Sequence, residues 1–258
     1  MTSPTAEVDH LRASRAAVLE RIAAACSRVG RDPSSVQLIA VSKTVPPERL
    51  RAAVAAGLTA LAENRVQEAE SKVGVIDGVT WDLVGPLQSN KAKRALETFD
   101  RIQTVDSIAL AERLDRLARE VRDAGPNRRY PVLLQVNVDQ DPSKAGFGPD
   151  ELDAAVEAVG GLEALDVEGL MTIGRLAADP EEARPTFVAL RVASERLRSD
   201  GRLGPALSMG MTDDFETAVE EGATIVRVGR ALFGERPHAH GPGDALHVHA
   251  SGEHQAPA

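Results

Sequence analysis

The chain has 258 residues, with 30 Lys plus Arg against 39 Asp plus Glu and a net charge of -9. That balance excludes a general nucleic-acid backbone binder while leaving room for a local anion pocket. A single cysteine, Cys26, excludes an intramolecular disulfide and a cysteine-built metal cluster, no apolar run reaches membrane-spanning length, and the opening MTSPTAEVDHLR lacks a secretory pattern. A protein of the reducing cytoplasm that engages neither nucleic acid nor membrane is expected.

Between Ala6 and Val29, residues Val8, Leu11, Ala16, Leu19, Ile22 and Ala23 fall near helical spacing and run into Gly30, which predicts an amphipathic N-terminal helix. Short β-rich segments then alternate with helices rich in Ala, Leu, Arg and Glu. Strands are predicted near 37–41, 58–62, 80–84, 101–105, 132–138, 166–171, 206–209 and 224–228. Pro46-Pro47 open one helix that Gly57 closes, and Asp213 with Glu216 resembles a capping box for a helix closed by Gly222. Eight strands, each but the last plainly followed by a helix, fit a closed parallel barrel better than an open sheet with edges to protect.

The predicted fold class is therefore α/β, a single (β/α)8 TIM barrel with an N-terminal helix and no C-terminal β-domain. Residues 1–30 are expected to form the helix packed on the barrel, 31–236 the barrel, and 237–258 a disordered tail rich in His, Gly and Pro. Five of the six histidines fall in that tail and the sixth is His10, so the predicted barrel contains none.

Barrel enzymes carry their reactive groups at the C-terminal ends of the strands. Lys43 stands there, where the apolar run VQLIAV breaks into Ser42, Thr44 and Pro46-Pro47. A desolvated amine at such a place has a lowered pKa and a lone pair available for Schiff-base chemistry. Of the 30 cationic side chains only five are lysines (Lys43, Lys72, Lys91, Lys93, Lys144), so arginine is the ordinary choice here and Lys43 reads as selected for its nitrogen. A solvated head on a buried stem is the ordinary alternative for a strand-end lysine.

The seventh and eighth strand ends read as an anion cradle. Ser208 and Thr212 offer hydroxyls, and Gly210 and Gly229 let backbone amides approach. Arg227, flanked by Val226 and Val228, needs a partner if buried, either a carboxylate such as Asp213 or a ligand's heterocyclic nitrogen or phosphate.

The segments AVSKTVPPERL, ENRVQEAESK, LVGPLQSNKAK, QVNVDQDPSKAGF, GLMTIG and LSMGMTDDFETAVEEGATIVRVGRALFG resemble the pyridoxal phosphate homeostasis protein family, which shares the barrel of the fold-type III alanine racemases. The resemblance covers about Val36 to Gly234. It implies that Lys43 holds pyridoxal 5′-phosphate (PLP) as an internal aldimine and that Arg227 lies near the pyridine nitrogen. It further implies that the Gly229 and Arg230 amides lie near the phosphate, with Ser208, Gly210 and Thr212 around it and Asn64 nearby on the cofactor. Two departures stand out: Arg65 where the family usually has Tyr, and Asp82, where it has His, expected as a change at one remove from the site or on the surface.

Racemases of this fold take a second acid-base group from a β-domain after the barrel, and this chain stops. Tyr130, the only Tyr, precedes Pro131 at a strand start and is expected at the wrong end of the barrel. A monomeric, non-enzymatic carrier that stores PLP or delivers it to PLP-dependent apo-enzymes is therefore expected. The alternatives are a weakly active PLP-dependent racemase, a cofactor-free Schiff-base aldolase, or a regulatory module sensing the cofactor. Lys144, in the loop PSKAGF, reads as a loop residue or as a second amine for cofactor transfer.

Overall fold

Period-two alternation along the short apolar runs places one set of side chains inside a closed sheet and the other set under the helices. The structure, a computed structural model, describes residues 4–121, 129–174, 179–199 and 201–234; the tail predicted at 237–258 lies outside the described residues. The strands are β1 (Gln37–Val41), β2 (Ala60–Glu63), β3 (Thr80–Leu83), β4 (Arg101–Val105), β5 (Tyr130–Gln135), β6 (Leu165–Met171), β7 (Ala206–Ser208) and β8 (Ile225–Val228). All pairings are parallel and follow chain order, and β8 returns to β1 with Gln37 opposite Ile225 and Ala40 opposite Val228, closing the barrel.

The helices are α1 (Pro4–Arg28), α2 (Pro47–Ala55), α3 (Val66–Val73), α4 (Ala92–Thr98), α5 (Ile108–Val121), α6 (Leu152–Gly160), α7 (Arg184–Ser199), α8 (Phe215–Glu220) and α9 (Arg230–Phe233). Two cores result. Ala40, Leu61, Leu83, Ile102, Leu134 and Val226 face outward into the main helix-covered core. Ile39, Ala60, Ala62, Val84, Leu133, Met171 and Ile225 form a second, small core inside the barrel. α1 buries Leu11, Val18, Ile22, Ala25 and Cys26 against α8, α2 and α9. Arg31, just past its end, donates to the carbonyls of Val219 at 2.6 Å and Ala223 at 2.9 Å, pinning the N-terminal helix to the last third of the barrel.

Two local expectations are corrected. β5 starts at Tyr130, because the Tyr130 N–H donates to Ala164 O at 2.7 Å, and ends at Gln135, because the chain then folds back to bridge Val136 with Phe147. The N-terminal capping position of α8 is Asp214, not Asp213. Asp214 Oδ1 accepts the Met211 N–H at 2.6 Å and closes the turn inward, which leaves Asp213 exposed and paired with Arg230.

Candidate functional site

β1 delivers Ser42 and Lys43 to opposite sides of the sheet: Ser42 turns out toward α3, and Lys43, half-buried, turns to the barrel mouth. Ser42 Oγ donates to Glu63 Oε1 at 2.6 Å. Lys72, from α3, donates to that same Glu63 oxygen at 2.7 Å, to Ser42 O at 2.9 Å and to Glu68 Oε1 at 2.9 Å. Glu68 also accepts the N–H of Thr44, a residue held in the left-handed region at φ 66. The residues on both sides of Lys43 are thus fastened to one buried ion cluster. Burial pushes the Glu63 carboxyl up, against hydrogen bonds from Lys72 and Ser42. Burial also pushes on Glu68, but the bonds from Lys72 and Thr44 prevail and hold its carboxyl below the ordinary value. Among the described residues, Glu63 Oε2 has no hydrogen-bond partner.

Beside β1, its neighbour β8 ends at the same rim of the barrel, and the two strand ends share a recess of about 270 Å³ lined by Val41, Lys43, Thr44, Gly229 and Arg230 among others. Gly229 has an ordinary φ of -116, and an added Cβ would sit 3.4 Å from Val41 O, so a side chain there would enter the space in front of the β1 end. Its N–H makes only a long 3.4 Å contact with Thr212 Oγ1, which a stronger acceptor can displace. Gly210, at φ 90, has a plainly structural requirement: a Cβ would meet Ala218 Cβ at 2.6 Å, so glycine lets the β7 end lie against α8. Asn64 follows β2 and is half-buried, with Gly85 pressed so tightly on it that a Cβ would come within 2.3 Å of Asn64 O.

Arg227 points into the barrel, 4% exposed. It donates to Ser208 Oγ and to Thr172 O, each at 2.7 Å. Neither partner is a carboxylate, so of the two alternatives for Arg227 the pairing with Asp213 is not the one formed. Burial pulls the guanidinium down to about 10, with nearby Asp214 working the other way, so it stays protonated. The bonds continue inward: Ser208 Oγ donates to Gln103 Oε1 at 2.6 Å, and Gln103 Nε2 donates to Asp82 Oδ2. Asp82 is held in turn by Arg101 Nε at 2.7 Å. Asp82, expected on the surface or at one remove, is 1% exposed inside the barrel, because β3 directs every second side chain there. Burial pushes its carboxyl up, opposed by Arg101 and Gln103.

Lys43, Gly229 and Arg230 therefore share one recess, and Thr212 reaches it through the Gly229 N–H; Gly210, past the end of β7, and Arg227, turned into the barrel, are not among its lining residues. The Ser208 hydroxyl is fully buried, donating to Gln103 and accepting from Arg227. Arg65 is exposed. Lys144 donates to the carbonyls of Ile173 at 3.2 Å and Gly174 at 3.1 Å, fastening its loop to the β6 end. Sequence reasoning missed the Glu63, Glu68 and Lys72 cluster, although one signal was present: Lys72 is another of the few lysines, four residues after Glu68.

The barrel is closed and parallel, with Lys43 just past its first strand, and the alanine racemase N-terminal domain family matches residues 14–237. The chain is 43% identical over 224 residues to the pyridoxal phosphate homeostasis protein of Pseudomonas aeruginosa, covering 86% of this chain and 94% of that one. It is 40% identical to the protein of the same name from Aquifex aeolicus, covering 85% and 95%. The chain belongs to the pyridoxal phosphate homeostasis protein family. Among solved structures, PipY of Synechococcus elongatus with PLP bound is 43% identical, with a TM-score of 0.72 over 84% of this chain and 100% of that one. An alanine racemase from Clostridium difficile is 16% identical with a TM-score of 0.67, a likeness of fold alone.

Proposed function

We propose that this chain binds PLP covalently through the Lys43 amine and serves intracellular vitamin B6 homeostasis as a monomeric store or supplier of the cofactor to apo-enzymes, with little or no turnover of its own. The observation that carries this reading is the recess itself, which joins an amine on β1 to approachable backbone amides on β8, two residues beyond a buried cation whose hydrogen bonds go to neutral oxygens. That donor set suits a phosphorylated aromatic aldehyde. When bound, the group supplies an aldehyde carbon and a pyridine ring that takes up electron density.

The residues have distinct roles. Lys43 attacks as the neutral amine, and its condensation with an aldehyde releases one water. The Gly229 and Arg230 amides and the Thr212 hydroxyl hold the phosphate, with Gly210 shaping the turn beside them, and Asn64 borders the ring. Arg227 would lie toward the pyridine nitrogen. Because a guanidinium keeps its proton, it would leave that nitrogen unprotonated and the ring a weak electron sink, which suits retention over catalysis. Tyr130 supports the same reading: it is buried at the opposite end of the barrel, donating to Phe99 O at 2.6 Å. No described helix is long and apolar enough to cross a membrane.

The test is a visible spectrum of protein incubated with PLP, followed by borohydride reduction and peptide mapping. A yellow band that maps to Lys43 and is lost in Lys43→Ala, with transfer of cofactor to an apo-enzyme and no alanine racemisation, is the expected result. Label confined to other amines overturns the binding assignment, and sustained racemisation overturns the carrier role.

A further inference from the structure

The bonds that hold Arg227 have a direction, and it is set deep in the barrel. Gln103 lies fully buried on β4 between Asp82 and Ser208. A primary amide has one donating end and one accepting end. Its nitrogen donates to Asp82 Oδ2, which leaves Oε1 to accept, and Ser208 donates to it at 2.6 Å. With its single proton given to Gln103, the Ser208 hydroxyl can only accept on its other side. There it accepts Arg227 Nη1–H at 2.7 Å. A reversed amide would donate to Ser208 and free the serine proton to point at an arginine that offers only N–H groups. What prevents reversal is Asp82 Oδ2, fixed by Arg101, which is itself braced by Glu168 at 3.2 Å and Gln37 at 3.1 Å.

We propose that Asp82 and Gln103 are positioning residues for cofactor binding: by a one-way chain of hydrogen bonds they fix Ser208 as an acceptor and so aim the Arg227 guanidinium at the ring nitrogen of bound PLP. The proposal rests on the assignment of Arg227 made above. Neither residue needs to touch the cofactor, since Gln103 and Ser208 stand between Asp82 and Arg227. An asparagine at position 82 still offers an oxygen to Gln103 and Arg101, whereas an alanine offers none. Asp82→Asn and Asp82→Ala therefore differ in the one property that matters. Gln103→Met breaks the chain while leaving the Asp82–Arg101 pair in place, and serves if Asp82→Ala does not fold.

The first readout needs no cofactor. Rotation about the guanidinium Cζ–Nη bonds of Arg227, followed by 15N NMR and assigned by its loss in Arg227→Lys, is expected to be slow in the native protein and in Asp82→Asn, and fast in Asp82→Ala and Gln103→Met. The second is PLP titration. Asp82→Ala and Gln103→Met are expected to bind about tenfold more weakly, with a shifted absorption band, and Asp82→Asn to stay within about twofold of native. An unchanged Arg227 signal and unchanged affinity in Gln103→Met overturns the proposal, as does an Asp82→Asn protein that behaves like Asp82→Ala. Failure of the native protein to take up PLP overturns the proposed function instead, and the cofactor-free NMR comparison still decides the chain.

Discussion

Lys72 Nζ lies 2.7 Å from Glu63 Oε1 with the two side chains 5% and 0% exposed, and the same ammonium reaches the carbonyl of Ser42, the residue before Lys43. A buried pair of this kind adds little net stability over an apolar replacement, but removing one partner strands the other.

Lys72→Met is expected to destabilise the fold by about 3–5 kcal/mol, read as a fall in the urea midpoint, with the double variant Lys72→Met, Glu63→Leu recovering most of it. The sign with pH follows. The Glu63 carboxyl is already raised by burial and rises further without Lys72, so the folded state keeps a proton that the unfolded state has lost. Stability of Lys72→Met should therefore increase as pH falls through the raised value. A double variant no more stable than the single one would show that the ions are independent.

Gly210→Ala is expected to cost about 2–4 kcal/mol, combining a left-handed backbone with overpacking against Ala218 and Phe215. Gly160→Ala, in α6 with no atom within 4 Å of the added Cβ, is the control and should gain about 0.5–1 kcal/mol. Thermal unfolding of the pair decides whether close approach or glycine as such sets the cost.

The barrel was legible because its signals are local. Strand-length apolar runs, proline starts and glycine stops recur in order, and Lys43 announced itself by standing where β1 ends. What was not legible depends on side chains brought together from distant strands. Ser208 and Arg227 are 19 residues apart, and the bond that joins them forms only once β7 and β8 lie side by side with both side chains inside the barrel. Asp82 and Gln103 are joined only because β3 and β4 are neighbours inside a closed sheet. The choice between Asp213 and Asp214 as the cap of α8 turned on a left-handed turn at Gly210, and sequence spacing does not register which of two adjacent carboxylates such a turn sends inward.

Asp153, on α6, is paired with Arg196 of α7 at 2.6 Å and with Arg202 at 3.0 Å, and these two guanidinium groups hold its carboxyl down to about 2. A folded value below the unfolded 3.8 means that the stabilisation is present above that pH and is lost as pH falls toward about 2. Asp153→Asn should therefore lose stability relative to native at neutral pH and converge with it in strong acid. The pair is exposed, so high salt should shrink the difference. Urea midpoints across that pH range at low and high salt measure it, and parallel acid profiles for the two proteins would remove the ion pair from the account.

Thr44 separates strain from clamping at the Lys43 loop. A β-branched residue in the left-handed region is strained by about 1–2 kcal/mol, so Thr44→Gly relieves it, while the extra freedom of glycine in the unfolded chain offsets about 0.4–1 kcal/mol of the gain. The net expectation is a stabilisation between about zero and about 1.6 kcal/mol. Glu68→Ala acts oppositely: it removes the acceptor of the Thr44 N–H and one carboxylate from Lys72, and should cost about 1–3 kcal/mol. If the clamp presents the amine, Glu68→Ala also slows development of the Lys43-bound PLP band in stopped-flow absorbance by several-fold, whereas Thr44→Gly keeps the acceptor and stays near the native rate. A Glu68→Ala protein that is destabilised yet captures PLP at the native rate would confine the cluster to holding the fold together.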